Sequence, residues 1–256
     1  MIPIKDYPGP RRRIPWVTWG LIAINIAIFL YEVSLGTATQ AFVFAYSVVP
    51  AALTHGVPQT ALIQQNLPFH TPNPVYLTLI TSMFLHGGWL HIGGNMLFLY
   101  IFGDNVEDRM GHIGYLLFYL FCGVVAGLAQ VFVDPGSSIP SLGASGAIAG
   151  VLASYLVLFP WAGVRTVIFI FIFFTIVTLP AFILIGIWFL LQFFDGVTSL
   201  TNTQQAMGGV AYFAHVGGFV TGLVITLILR PMVQPPPNIT YPPFPRHPNS
   251  MGPVKW

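Results

Sequence analysis

Residues 110–133 read MGHIGYLLFYLFCGVVAGLAQVFV, an apolar run with no charge between Arg109 and Asp134. At about 1.5 Å of rise per residue, a helix of this length covers a hydrocarbon core of roughly 30 Å. The same reading extends in both directions. The 9 Lys and Arg and 7 Asp and Glu leave charge-free runs at 14–31, 33–103, 110–133, 135–164, 166–194 and 196–229. Their apolar cores place helices at about 14–34, 89–107, 113–133, 145–159, 179–195 and 208–229. The chain is therefore read as an all-α polytopic membrane protein with six transmembrane helices.

Composition excludes the main alternatives. Of the 256 residues 55% are hydrophobic and 6% charged, whereas soluble domains carry about 25% charged residues. A formal charge of +2 leaves too little basic surface for nucleic acid to be the main partner. The single cysteine, Cys122, allows neither an intramolecular disulfide nor a cysteine-based zinc site.

Three divisions follow: a cytoplasmic segment 1–13, a six-span domain 14–230 and a proline-rich tail 231–256, expected to be disordered. Lys5, Arg11, Arg12 and Arg13 precede an apolar run without a small-residue cleavage site, which reads as an anchor, not a removed signal. Residues 36–88 form an uncharged loop broken by Pro50, Pro58, Pro68, Pro72 and Pro74, with a short embedded helix expected over Val75 to His86. Val164 to Thr178 is β-branched and Phe-rich. It either begins the fifth helix or lies partly extended, and a helix start near Leu179 is favoured.

Orientation follows from the cations, which accumulate in cytoplasmic loops. With the N-terminus inside, all nine Lys and Arg fall on the cytoplasmic side. Even-numbered spans then begin at the outer side. Counting back 15 residues from Pro160 to Ser145, 15 from Arg230 to His215 and 16 from Glu107 to His91 puts all three about 22–24 Å above the cytoplasmic end. They are level, in a recess several ångströms below the outer surface.

A polar residue inside a span is a functional candidate, because burying it without a partner costs several kcal/mol. Ser145 opens the fourth span, His215 lies in the sixth, and His91 and Asn95 share one face of the second at i, i+4 spacing. Free N–H groups and the positive dipole end at a helix start stabilise an oxyanion. A neutral His beside the Ser hydroxyl can take its proton and return it to a leaving amine. The pattern thus points to acyl transfer. Each feature also has a structural reading: Ser145 as an N-cap, Gly146, Ala147, Gly150, Gly218 and Gly222 as a close-packing seam, His215 as a hydrogen-bond partner, and His91 with Asn95 as a clamp. His55, His70, His86, His112 and His247 lie in loops or at span ends and are expected to be exposed. Asp134 and Asp195 are too far along the chain to orient His215, so a dyad without a third carboxylate is expected.

Together, His91-Ile92-Gly93-Gly94-Asn95, Gly103-Asp104-Asn105-Val106-Glu107, Gly143-Ala144-Ser145-Gly146 and Ala214-His215-Val216-Gly217-Gly218 resemble the rhomboid family of intramembrane serine proteases, over roughly residues 80–225. The resemblance implies a six-helix rhomboid-like bundle, with Ser145 as nucleophile and His215 as general base and acid; a compact chain without a transit-like segment is expected in a prokaryotic plasma membrane. It places His91, Asn95 and the Ser145 backbone N–H in the oxyanion hole, and it matches Glu107 to a family Glu at the cytoplasmic end of the second span. The implied substrates are single-span transmembrane proteins in the lipid bilayer, and no cofactor or metal is implied. Two departures stand out: no Arg occurs between 14 and 108, where some members carry a Trp-Arg pair, and Ala149 replaces an aromatic residue that stacks on the catalytic His in some members. Whatever packs on His215 must come from elsewhere. The alternative is an inactive rhomboid-like protein that binds membrane clients without cutting them; a small-solute transporter ranks last.

Overall fold

The computed structural model describes residues 1–9, 11–57, 59, 68–170, 173–199 and 211–233. Of the tail, only Pro231 to Val233 fall among these, as does the sixth helix from Tyr212 onward; 208–210 and the rest of the tail lie outside them.

The chain begins with strand β1 (Ile2–Tyr7), followed by helices α1 (Trp16–Ser34), α2 (Thr39–Tyr46), α3 (Pro50–His55) and α4 (Thr78–Thr81). Next come α5 (Trp89–Phe98), a π turn at Leu99–Gly103, α6 (Asp104–Met110) and α7 (His112–Val133). Then α8 (Ser145–Leu158), strands β2 (Gly163–Ile170) and β3 (Phe173–Pro180), α9 (Ala181–Ser199) and α10 (Tyr212–Leu229) complete the described chain.

Helices α1, α7, α9 and α10 are each long and apolar enough to cross a membrane, and the fold is that of an all-α polytopic membrane protein. The second expected span is assembled from α5, the π turn and α6. The wider π turn falls where Gly103 lies against Tyr115; a Cβ there would sit 2.6 Å from the Tyr115 hydroxyl. The fourth, α8, is shorter. It begins after Gly143, whose φ of 120° favours glycine. The embedded helix expected over Val75 to His86 is present as consecutive helical turns over Val75–Phe84.

Of the two alternatives for residues 164–178 the extended one is found: β1, β2 and β3 form an antiparallel sheet in that order, and the following helix starts at Ala181, close to the favoured start near Leu179. Pro180 cannot donate to a helical ladder, and the Ala181 N–H instead bonds the Ala162 carbonyl at 2.9 Å, closing the hairpin base onto α9. The N-terminal segment joins this sheet, β1 pairing with β2 from Ile2↔Val167 to Tyr7↔Gly163.

Charge gathers at one end of the bundle. Arg11 pairs with Asp104 at 2.6 Å, and the backbone N–H groups of Arg12 and Arg13 both donate to Asp108 at 2.8 Å. Lys5 sits opposite Arg165 in the sheet, and the Arg109 guanidinium lies 5.0 Å over the Phe159 ring. Fully buried Glu107 accepts from the Val17 and Thr18 N–H groups, the Thr18 hydroxyl and His112 at 2.6–2.9 Å. It thereby satisfies orphan donors in the first turn of α1, joining the first span to the second at this end. His112, expected to be exposed, is half-exposed and tied to Glu107.

The core seam runs between α8 and α10. A Cβ on Gly218 would collide with the Gly146 carbonyl, and one on Gly222 with the backbone of Gly150. Helix α7 lies in the same groove, with the Ala126 Cβ 2.6 Å from a Cβ built on Gly146 and Cys122 2.7 Å from one on Gly150. The small-residue reading of these positions therefore holds.

Gly222→Ala is expected to cost about 3 kcal/mol or more, because backbone faces the new methyl and cannot yield as a side chain would. Gly186→Ala, where nothing lies within 4 Å, should be neutral or stabilising by up to about 1 kcal/mol. Unfolding midpoints in mixed detergent micelles measure both.

Asp6 gives a pH prediction. Its carboxyl accepts from Tyr155 at 2.7 Å and Asn105 at 2.9 Å. Burial pushes it from the ordinary 3.8 up to about 6, against the opposing pull of the Tyr155 bond and of Arg11 and Lys5. A carboxyl raised on folding contributes stability that is full below its unfolded value and lost as pH rises through its folded one. The protein should therefore lose stability relative to Asp6→Asn between about pH 4 and pH 6, read as the difference in unfolding midpoint across that window.

Candidate active site

The N-terminal ends of α8 and α10 meet at the end of the bundle opposite the charges. Ser145 Oγ lies 2.7 Å from His215 Nε2. The N-cap position of α8 is held by Ala144 without a side-chain cap bond, so the Ser145 hydroxyl is not capping its own helix. It engages His215 at the start of a helix whose first N–H groups have no intrahelical carbonyl.

His215 is buried, and its Nδ1 hydrogen-bonds Gln192 Oε1 of α9. The Trp188 ring, one turn earlier, lies 5.9 Å from the imidazole at 36°. These two residues supply what Ala149 cannot: a ring packed on His215 and a partner for its second nitrogen. Asp195 lines the same cavity, while the two ring nitrogens of His215 are bonded to Gln192 and Ser145.

His91 of α5 comes close to Ser145 across Gly143. Its Nδ1 accepts from the Gly87 N–H at 3.2 Å, so the proton of a neutral ring is on Nε2. That edge faces Gly143, where a Cβ would stand 2.8 Å from His91 Cε1 and Nε2 and 3.6 Å from Ser145 Oγ. A glycine is needed here for space as well as for φ. Asn95 lines the same cavity, and its side-chain amide bonds His86 Nε2 at 3.0 Å.

His86, expected to be an exposed loop residue, is only 2% exposed. Its backbone N–H donates to the buried Glu32 carboxylate at 3.3–3.4 Å, and its ring packs edge-on against His91 at 5.1 Å. The loop before α5 is folded inward, which brings His86 against Asn95 and His91. No period in the sequence announces this, but Gln192 had a signal: it is an uncharged polar residue in an otherwise apolar stretch, 181–194.

His91, Asn95, Ser145, Trp188, Gln192 and His215 line one cavity of about 920 Å³, together with Leu152, Phe98, Ser141 and Tyr212. Among the described residues no three His, Cys, Asp or Glu side chains converge as metal ligands.

The Rhomboid domain family model matches residues 73–232, more than half of the chain, and the chain belongs to the rhomboid family. It is 28% identical over 226 residues to "Rhomboid-like protein 11, chloroplastic" of Arabidopsis thaliana, covering 88% of this chain and 69% of that protein. It is 32% identical over 143 residues to "Rhomboid protease GluP" of Bacillus subtilis, covering 56% of this chain and 24% of that protein. A shorter likeness, 30% over 91 residues, is to "Inactive rhomboid protein 1" of Drosophila melanogaster, covering 36% of this chain and 6% of that one. The family thus includes a member named a protease and another named inactive, and the particular activity of this chain rests on its own residues.

Proposed function

We propose that this chain is an intramembrane serine endopeptidase that cuts single-span transmembrane proteins. The observation that carries the reading is the 2.7 Å hydrogen bond from Ser145 Oγ to His215 Nε2 at a helix N-terminus inside a cavity of a polytopic membrane protein. Ser145 Oγ attacks the scissile carbonyl and its proton passes to His215 Nε2. The oxyanion is held by the Ser145 backbone N–H, the His91 Nε2–H and the Asn95 amide. Collapse expels the amine, which takes the proton from His215; water then repeats the sequence on the acyl-enzyme. No cofactor is required.

The charged end, holding every described Lys and Arg, supports cytoplasmic termini and an outward-facing site. On this reading the protein is a six-span enzyme of prokaryotic type in a plasma membrane. The relatives named for chloroplasts and mitochondria make an organelle membrane the competing location, with the same polarity relative to the cation-bearing side.

Ser145→Ala and His215→Ala should each abolish cleavage of a single-span client and labelling by a fluorophosphonate, while insertion is retained, since the two side chains act as a unit. Asn95→Ala should lose on the order of 10-fold to 1000-fold, one donor among several being removed. Client binding by a chain whose Ser145 is unlabelled and which cuts nothing would establish the inactive, client-binding reading instead.

The depth of Ser145 also locates the cut. Carbonyls in a stable helix are hydrogen-bonded and shielded, so attack requires local unwinding. Gly or Pro near the outward end of the client should favour cleavage there, because each weakens a helix by roughly 1–3 kcal/mol. Mass spectrometry of the products locates the bond. A cut near the cytoplasmic end, or a rate indifferent to these residues, would contradict an outward-facing recess.

A further inference from the structure

The Ser145–His215 reading leaves one demand unmet by its own residues. A neutral imidazole donates from one nitrogen and accepts at the other. For Nε2 to accept the Ser145 proton, Nδ1 must carry a hydrogen, and that N–H needs an acceptor inside an apolar bundle. The described carboxylates do not provide it: Glu32 is engaged with the His86 backbone, and Asp195 lines the cavity while the ring's two bonds go to Gln192 and Ser145. The group bonded to Nδ1 is the Gln192 amide oxygen.

Gln192 and Trp188 are four residues apart on α9 and so share a face. One fixes the ring by a hydrogen bond and the other packs on its plane. Helix α9 is itself held to α10 by Phe189, stacked on Phe219 at 4.2 Å. Within a span, an amide meets the requirement without adding a charge to be desolvated.

We infer that Gln192 is a positioning residue for the reaction, holding His215 as the Nδ1–H tautomer with its Nε2 lone pair on Ser145. The inference rests on the Ser145–His215 reading. It also ties the competence of His215 to the seating of α9, which carries both the amide and the ring.

The test compares Gln192→Met, similar in size without an acceptor oxygen, with Gln192→Glu, which restores one, both in the full chain. Met should lower kcat for a single-span client on the order of 10-fold to 100-fold with KM within about 2-fold, as loss of a ligand-orienting partner does elsewhere, and Glu should recover most of the loss. Ring ¹⁵N resonances of His215, identified by their loss in His215→Ala, should show Nδ1 protonated in the unsubstituted protein and a tautomer mixture in Gln192→Met. Unchanged kcat and an unchanged tautomer in Gln192→Met would overturn the inference. So would equal losses in Met and Glu that follow lowered unfolding midpoints, which mark a packing role only. Failure of the unsubstituted protein to cut or to react with a fluorophosphonate would refute the Ser145–His215 reading instead. The ring tautomer would still decide whether Gln192 holds His215.

Discussion

The close approach of α8 and α10 is the constraint on which the rest depends. In a bilayer, helices gain little from burying apolar side chains against one another, because lipid is equally apolar; contact between backbones must supply the attraction. Here Gly146 and Gly150 meet Gly218 and Gly222 without an intervening side chain. Ser145 immediately precedes Gly146, and His215 lies three residues before Gly218. The seam that joins the helices therefore also places the Ser145 oxygen 2.7 Å from the His215 nitrogen. Helix α7 fills the remaining groove through Ala126 and Cys122, so the third span supports the pair without contributing a polar group.

The opposite end of the bundle is held by another kind of contact. Glu107 takes the orphan N–H groups of α1, and Asp108 takes those of the arginine segment just before it. A buried carboxylate is tolerated because four donors converge on it, which meets the desolvation requirement that an isolated charge would fail. The positions of these acids and of Arg11 to Arg13 show in the sequence as an anchor. What does not show is that backbone donors are the main partners. The sheet adds a further link, since β1 is bound to β2 and β3 runs directly into α9, joining the N-terminus to the helix that carries Gln192.

Much of this was legible because lipid simplifies the pattern. Charge-free length predicts α1, α7, α9 and α10, the four described helices long and apolar enough to cross a membrane, and small residues at four-residue spacing predict the α8–α10 seam. Parity and depth place Ser145, His215 and His91 at one level, and the structure brings all three to one cavity. The 164–178 segment was ambiguous because β-branched and Phe-rich runs fit either a buried strand or a helix; the proline at 180 and the bond from Ala181 to Ala162 decide it. His86 was misread because a loop folded inward leaves no periodic trace. Gln192 carries a signal of the same kind as Asn95, a lone amide in an apolar stretch, but nothing in its spacing ties it to His215.

The site's polar groups share one property that the membrane explains. Around Ser145 the partners are imidazoles and amides, His215, His91, His86, Asn95 and Gln192, while the buried Glu32 is kept behind His86 on a backbone N–H. A carboxylate against His215 would stabilise an imidazolium strongly, as in soluble serine hydrolases, but would have to be desolvated at every moment between turnovers. An amide dipole needs less desolvation and holds the ring equally well in orientation, yet it offers less to the charge that appears when His215 takes the proton. On the proposed reaction the enzyme therefore gives up part of the electrostatic stabilisation of its transition state, and the oxyanion donors on α5 and α8 must supply a larger share of it.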